Sequence, residues 1–134
     1  MSLKDEERQT LISLYLKKSD EAFEDAHHNS TQARWNVSAN RLYYALFHAI
    51  TALFVSDGIP VHSHNGLKVK FGKEYVLTGL ASEDEGKLLS QMETMRERAD
   101  YDATFSASES IIQERIISVE KMIQHIKDLV FRKR

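Results

Sequence analysis

Three residues in the stretch 34–55 have types and spacing suited to phosphate chemistry: Arg41, Tyr44 and His48. At about 100° per residue, Arg41 and His48 lie within about 20° of each other on a helix, with Tyr44 between them. Arginine offers a planar donor fork for phosphate oxygens. Histidine can move a proton near neutral pH. Such a pair serves metal-independent RNA cleavage, where a base activates the ribose hydroxyl and a cation steadies the charge at phosphorus. It serves phosphate binding equally well. A structural reading stands beside both, with Arg41 in a buried salt bridge and His48 as a hydrogen-bonded core histidine. On an otherwise apolar helix both side chains are costly unless they are paired or used.

A second group lies in the run Arg96-Glu97-Arg98-Ala99-Asp100-Tyr101. Arg96 and Asp100, four apart, can pair along one helix face. Alternatively, Asp100 reaches Arg41 and neutralises it. As function, Arg96 and Tyr101 extend a phosphate-binding groove, with Asp100 and Tyr101 orienting the arginines. As structure, the run is an ion-paired helix end.

The elements that must position these groups read as helices. Leu11, Leu14, Tyr15, Ala22 and Ala26 carry helical spacing over residues 3–26. The polar run His27-His28-Asn29-Ser30 is expected to end that helix, and Ser30 or Thr31 to cap the next, over 31–56. On this central helix Tyr43, Leu46, Phe47, Ile50 and Phe54 make a bulky face, with Trp35 in its stripe. Val37, Ala45, Ala52 and Val55 accompany the polar stripe. Asp57-Gly58-Ile59-Pro60 stops the helix. A short helix is expected over 65–71. Ser82-Glu83-Asp84-Glu85 forms a capping box for the third main helix, and residues 100–105 break it. Ser106-Ala107-Ser108-Glu109 reads as a second capping box, opening the last helix. There Ile112, Ile116, Val119, Ile123, Ile126 and Val130 form a heptad-like seam, fitting a bundle core or a dimer seam. The basic cluster Arg132-Lys133-Arg134 suits a helix C-terminus. The expected fold is all-α: one domain over 1–134, an up-and-down bundle of four long helices plus a short one.

Composition narrows the function classes. With 134 residues the chain can bury one sizeable core. A net charge of −2 argues against a nucleic-acid binder working by bulk charge, although a local basic groove is compatible with it. No cysteine is present, which excludes thiolate metal sites and a Cys nucleophile. His62 and His64, with His27 and His28 elsewhere, lack the spacing of a zinc site, so no metal and no cofactor is expected. Lys68, Lys70 and Lys73 lie near Gly66 and Gly72 without a P-loop pattern and read as solvated side chains. The N-terminus is charged and lacks an apolar signal core. The longest apolar run, 42–55, is interrupted by His48 and Thr51 and falls short of the ~20 residues a bilayer requires. A cytoplasmic protein with no membrane contact is expected.

The run Asn40-Arg41-Leu42-Tyr43-Tyr44-Ala45-Leu46-Phe47-His48-Ala49, followed by Arg96-Glu97-Arg98-Ala99-Asp100-Tyr101, resembles the HEPN domain family (higher eukaryotes and prokaryotes nucleotide-binding). His62-Ser63-His64-Asn65-Gly66 with Phe71-Gly72-Lys73 is similar to the family's intervening loop. The resemblance covers about residues 8–130. It implies a helical bundle, a homodimer, and a minimal nucleotidyltransferase as partner, in some cases as a toxin–antitoxin pair. Several branches are ribonucleases with an Arg-x(4–6)-His motif. Arg41 and His48 meet that spacing, but on the second helix. At the usual later position Arg96 is followed by Asp100-Tyr101, with no histidine until His125. The resemblance therefore implies a nucleotide- or RNA-phosphate-binding module through Arg41, Tyr44, His48, Arg96, Asp100 and Tyr101. A metal-independent endoribonuclease using Arg41 and His48, and a structural dimer with a buried ion-pair stripe, are the alternatives.

Overall fold

A computed structural model describes residues 4–60 and 63–132. Among these residues there are five α-helices and no strand: α1 (Asp5–Thr31), α2 (Trp35–Asp57), α3 (His64–Phe71), α4 (Glu83–Tyr101) and α5 (Glu109–Val130). One π-helical segment, Gly72–Val76, continues α3. The all-α bundle expected from periodicity is the fold found.

α2 is the centre of the bundle and packs against each of the other four helices. Leu42, Tyr43, Ala45, Leu46, Ala49, Ile50, Ala52, Leu53 and Phe54 are fully buried along it. An apolar surface nearly all round the helix forces this placement, because water would meet an apolar side chain at most positions. Of the face beside the polar stripe, Ala45 and Ala52 lie beneath neighbouring helices, while Val37 is exposed. Ala45 lets α1 approach closely enough for the Ser19 hydroxyl to donate to its carbonyl at 2.7 Å. The seam of α5 is core: Ile112, Ile116, Val119, Ile123, Ile126 and Val130 are all buried.

The first turn between helices falls later than the sequence predicts. α1 runs through the polar cluster to Thr31. Ser30 and Thr31 do not cap α2. Their hydroxyls donate backward to the carbonyls of His27 and His28, at 2.6 Å each, and Asn29 donates to Asp25. Such back-bonding is compatible with helix, so the polar run costs the helix little. The chain then reverses over three residues, with Ala33 in the left-handed region at φ 57°. α2 begins after Arg34 without a side-chain cap.

The other boundaries sit near their sequence signals. Gly58, at φ 72°, ends α2. Ser63 caps α3 by accepting from Gly66 N–H at 2.9 Å. The Ser82–Glu85 capping box is complete in both directions. α4 extends two residues into the predicted break at 100–105, so Asp100 and Tyr101 remain helical. The cap of α5 is Ser108, accepting from Ile111 N–H at 3.2 Å, rather than a box opened by Ser106. Ser106 lies too early because the Asn36 side chain holds the preceding loop, donating to Phe105 carbonyl at 3.1 Å and accepting from Ala107 N–H at 2.8 Å. Among the described residues no helix is long and apolar enough to cross a membrane. His62, Lys133 and Arg134, singled out by sequence, lie outside the described residues.

Candidate functional site

Arg41, Tyr44 and His48 emerge half-buried on one side of α2, as their spacing predicts. The Arg41 guanidinium lies over the Tyr44 ring, 5.2 Å from its centroid. Its Nε and Nη2 both donate to the Asn40 side-chain oxygen, at 2.9 and 2.8 Å. Asn40 in turn donates its amide to both oxygens of Asp100, at 3.2 and 3.1 Å. Asp100 therefore does not neutralise Arg41 by direct pairing. Asn40, which sequence reasoning did not single out, stands between them.

Arg96 is placed differently from Arg41. It is 7% exposed and packs over Tyr43 at 5.1 Å and Tyr44 at 5.9 Å. Glu97 and Asp100 approach it at 3.9 and 3.8 Å, outside hydrogen-bond range. Its Nε is buried without a partner. The predicted Arg96–Asp100 contact along α4 is thus present as a loose ion pair. Tyr44 lies under both guanidiniums, so cation–π attraction holds the two arginines on one ring. Tyr101 is 82% exposed, and no hydrogen bond or ring contact among the described residues joins it to this cluster.

His48 has a restricted chemistry. Its Nδ1 is buried and has no hydrogen-bond partner. Its ring stacks on Tyr15 of α1, with centroids 6.4 Å apart. Burial, then the charges of Lys18 and Arg41, hold its pKa below the ordinary value. An imidazolium would carry an orphaned N–H at Nδ1, so the neutral ring with its proton on Nε2 is the favoured form. That form donates a hydrogen bond. A general base at Nε2 needs the proton on Nδ1, where no acceptor meets it.

A third layer supports the cluster from α3. Tyr43 is fully buried, and burial, then the Glu93 charge, push its pKa well above the usual phenol range. It stays protonated and bonds His64 Nδ1 at 2.9 Å. The His64 ring lies 4.6 Å from that of Phe47. His64, for which sequence suggests a surface or loop-anchoring role, anchors the start of α3 to α2. Lys68, read as solvated, pairs with the buried Glu93 at 3.1 Å. Glu93 could have been noticed: it precedes Arg96 by three residues and faces α2 with it. Nothing local marked His64, because its partners arrive from another helix.

The sequence profile of the HEPN domain matches residues 12–129. A "UPF0332 protein" of Thermotoga maritima is 27% identical over 124 residues, covering 92% of this chain and 94% of its own length. A "UPF0332 protein" of Archaeoglobus fulgidus is 24% identical, covering 92% and 98%. A protein of Methanocaldococcus jannaschii named "Putative toxin MJ0605" is 30% identical over 93 residues, covering 67% and 69%. With the profile spanning nearly all of the bundle and both motif-bearing helices, the chain belongs to the HEPN domain family.

Proposed function

We propose that this protein is a toxin-like HEPN module that recognises a phosphate group of a nucleotide or an RNA. It acts as a homodimer beside a minimal nucleotidyltransferase partner. The toxin-named relative supports the toxin-like class, and the motif resemblance motivates the partner and the dimer.

One observation carries the phosphate reading: how Arg41 is held. Asn40 takes the Nε/Nη2 edge of the guanidinium. The remaining edge, with one N–H from each terminal nitrogen, is a two-donor fork of the kind that grips phosphate oxygens. The neutral Nε2–H of His48 is a further donor two turns along the same face, and Lys18 adds positive potential. Arg96 is buried, so it acts by fixing Tyr44 and Asp100 beneath that fork. Tyr101, exposed at the end of α4, reaches the ligand only from the rim.

The endoribonuclease reading has the shared face of Arg41 and His48 in its favour. The tautomer of His48 weighs against it, because a base is required where a donor is favoured. Purified protein should be titrated into labelled single-stranded RNA, and into ATP by thermal shift, in EDTA. Binding that weakens in Arg41→Ala and His48→Ala, without strand cleavage, supports the module. Cleavage lost in both variants establishes the nuclease. If neither ligand binds and Arg41→Met keeps or raises the melting temperature, the stripe is structural and the proposal fails.

A further inference from the structure

We infer that Asn40 is a positioning residue that insulates Arg41 from Asp100, holding the guanidinium in place while leaving its charge available to an anionic ligand. The inference rests on the phosphate-binding reading above.

The chemistry of the contacts fixes which way the Asn40 amide points. A guanidinium only donates, so the atom facing Arg41 at 2.8 and 2.9 Å is the amide oxygen. A carboxylate only accepts, so the atom facing Asp100 at 3.1 and 3.2 Å is the amide nitrogen. The four groups therefore run Arg96, Asp100, Asn40, Arg41, with charges of plus, minus, zero and plus.

Asp100 is the carboxylate that would otherwise cancel Arg41. On one side it is loosely paired with Arg96 at 3.8 Å, and on the other it accepts from a neutral amide. Direct pairing would give Arg41 a fixed counter-charge, and a phosphate would then have to displace it. A neutral acceptor orients the same edge of the guanidinium and leaves the charge unspent. Cation–π contact with Tyr44 orients the guanidinium plane by a second neutral interaction. Arg41 is thus held twice, and neither holder is an anion.

The test reads the salt dependence of binding, which counts phosphate contacts and which a merely structural change leaves alone. Binding of a labelled single-stranded RNA is measured at several salt concentrations for wild type, Arg41→Ala, Asp100→Asn, Asn40→Asp and the swap Asn40→Asp/Asp100→Asn. Asn40→Asp sets two carboxylates together and can unsettle the fold. The swap retains one amide and one carboxylate, and melting temperature monitors both. Arg41→Ala is expected to bind roughly tenfold more weakly, the loss of one charge-assisted contact. The magnitude of its log–log salt slope should fall by about 0.7, the value of one phosphate on a single strand. The swap should match Arg41→Ala in both measures, because its carboxylate now sits on Arg41. Asp100→Asn, which puts no carboxylate on Arg41, should be less impaired than the swap.

A folded swap variant with wild-type affinity and slope overturns the role of Asn40. So does an Asp100→Asn variant as impaired as Arg41→Ala. If Arg41→Ala itself matches wild type, the phosphate-binding reading falls first, and the role of Asn40 with it.

Discussion

Replacing Asn36 by Ala should cost more than its half-buried position suggests. The side chain closes two bonds to the loop between α4 and α5. The Phe105 carbonyl lies in a half-buried segment and can turn to water, so losing that bond costs about 0.5–1 kcal/mol. The Ala107 N–H is different, because Ala107 is only 4% exposed. Leaving that donor without a partner costs about 1–3 kcal/mol. Together they give about 1.5–4 kcal/mol. An unfolding entropy of about 2.1 cal/mol/K per residue over 134 residues converts this to a fall of roughly 5–14 °C in melting temperature. Thermal unfolding followed by circular dichroism reads the shift directly. Asn36→Asp keeps the acceptor for Ala107 and loses the donor to Phe105, so it should fall between wild type and Asn36→Ala. The same loop fixes the end of α4 on which Asp100 stands. A melting temperature for Asn36→Ala within about 2 °C of wild type would refute the assignment of an orphaned amide at Ala107.

Three further outcomes follow from the packing and the electrostatics. The pKa of folded His48 lies below its ordinary value, so the unfolded chain takes up a proton the folded chain refuses. Its contribution is complete above about pH 6.5 and is lost as pH falls through the folded value. Wild-type melting temperature should therefore drop more steeply from pH 7 to about 5.5 than that of His48→Gln, and parallel profiles would contradict it. Ala33 holds φ 57° at an exposed turn, so Ala33→Gly should relieve about 1 kcal/mol of backbone strain and raise the melting temperature by roughly 2–4 °C. Ile112→Ala, at a fully buried seam position, should lose about 2–5 kcal/mol in denaturant unfolding with little change in the m-value.

The helices were legible because their signals are local. Seam spacing on α5, the Ser82–Glu85 box and Gly58 each act within one or two turns of chain, and each sits where the sequence places it. The end of α1 was misread for a physical reason. Ser30 and Thr31 have side chains able to bond forward as caps or backward into their own helix, and only the position of the turn decides which. The π-helical segment at Gly72–Val76 had no signature. Its placement follows from Tyr75 being buried between Phe54 and Phe71. Within the candidate site, the common face of Arg41, Tyr44 and His48 follows from their spacing alone. The depth of Arg96, the role of Asn40 and the anchoring by His64 depend on α3 and α4 arriving at α2. Residue type did not announce them.

The central position of α2 also bears on how the molecule opens. Arg41, Tyr44 and His48 belong to the helix that every other helix packs against. Local fluctuations that free an end of the bundle leave that helix covered, so its amides should exchange with solvent only through near-global unfolding. α3 is held to α2 by the Tyr43–His64 bond and to α4 by the Lys68–Glu93 pair, and its amides should exchange earlier than those of α2. The candidate-site side chains and the most deeply buried helix of the bundle thus share one element. A sequence change that loosens their geometry also lowers the stability of the whole domain.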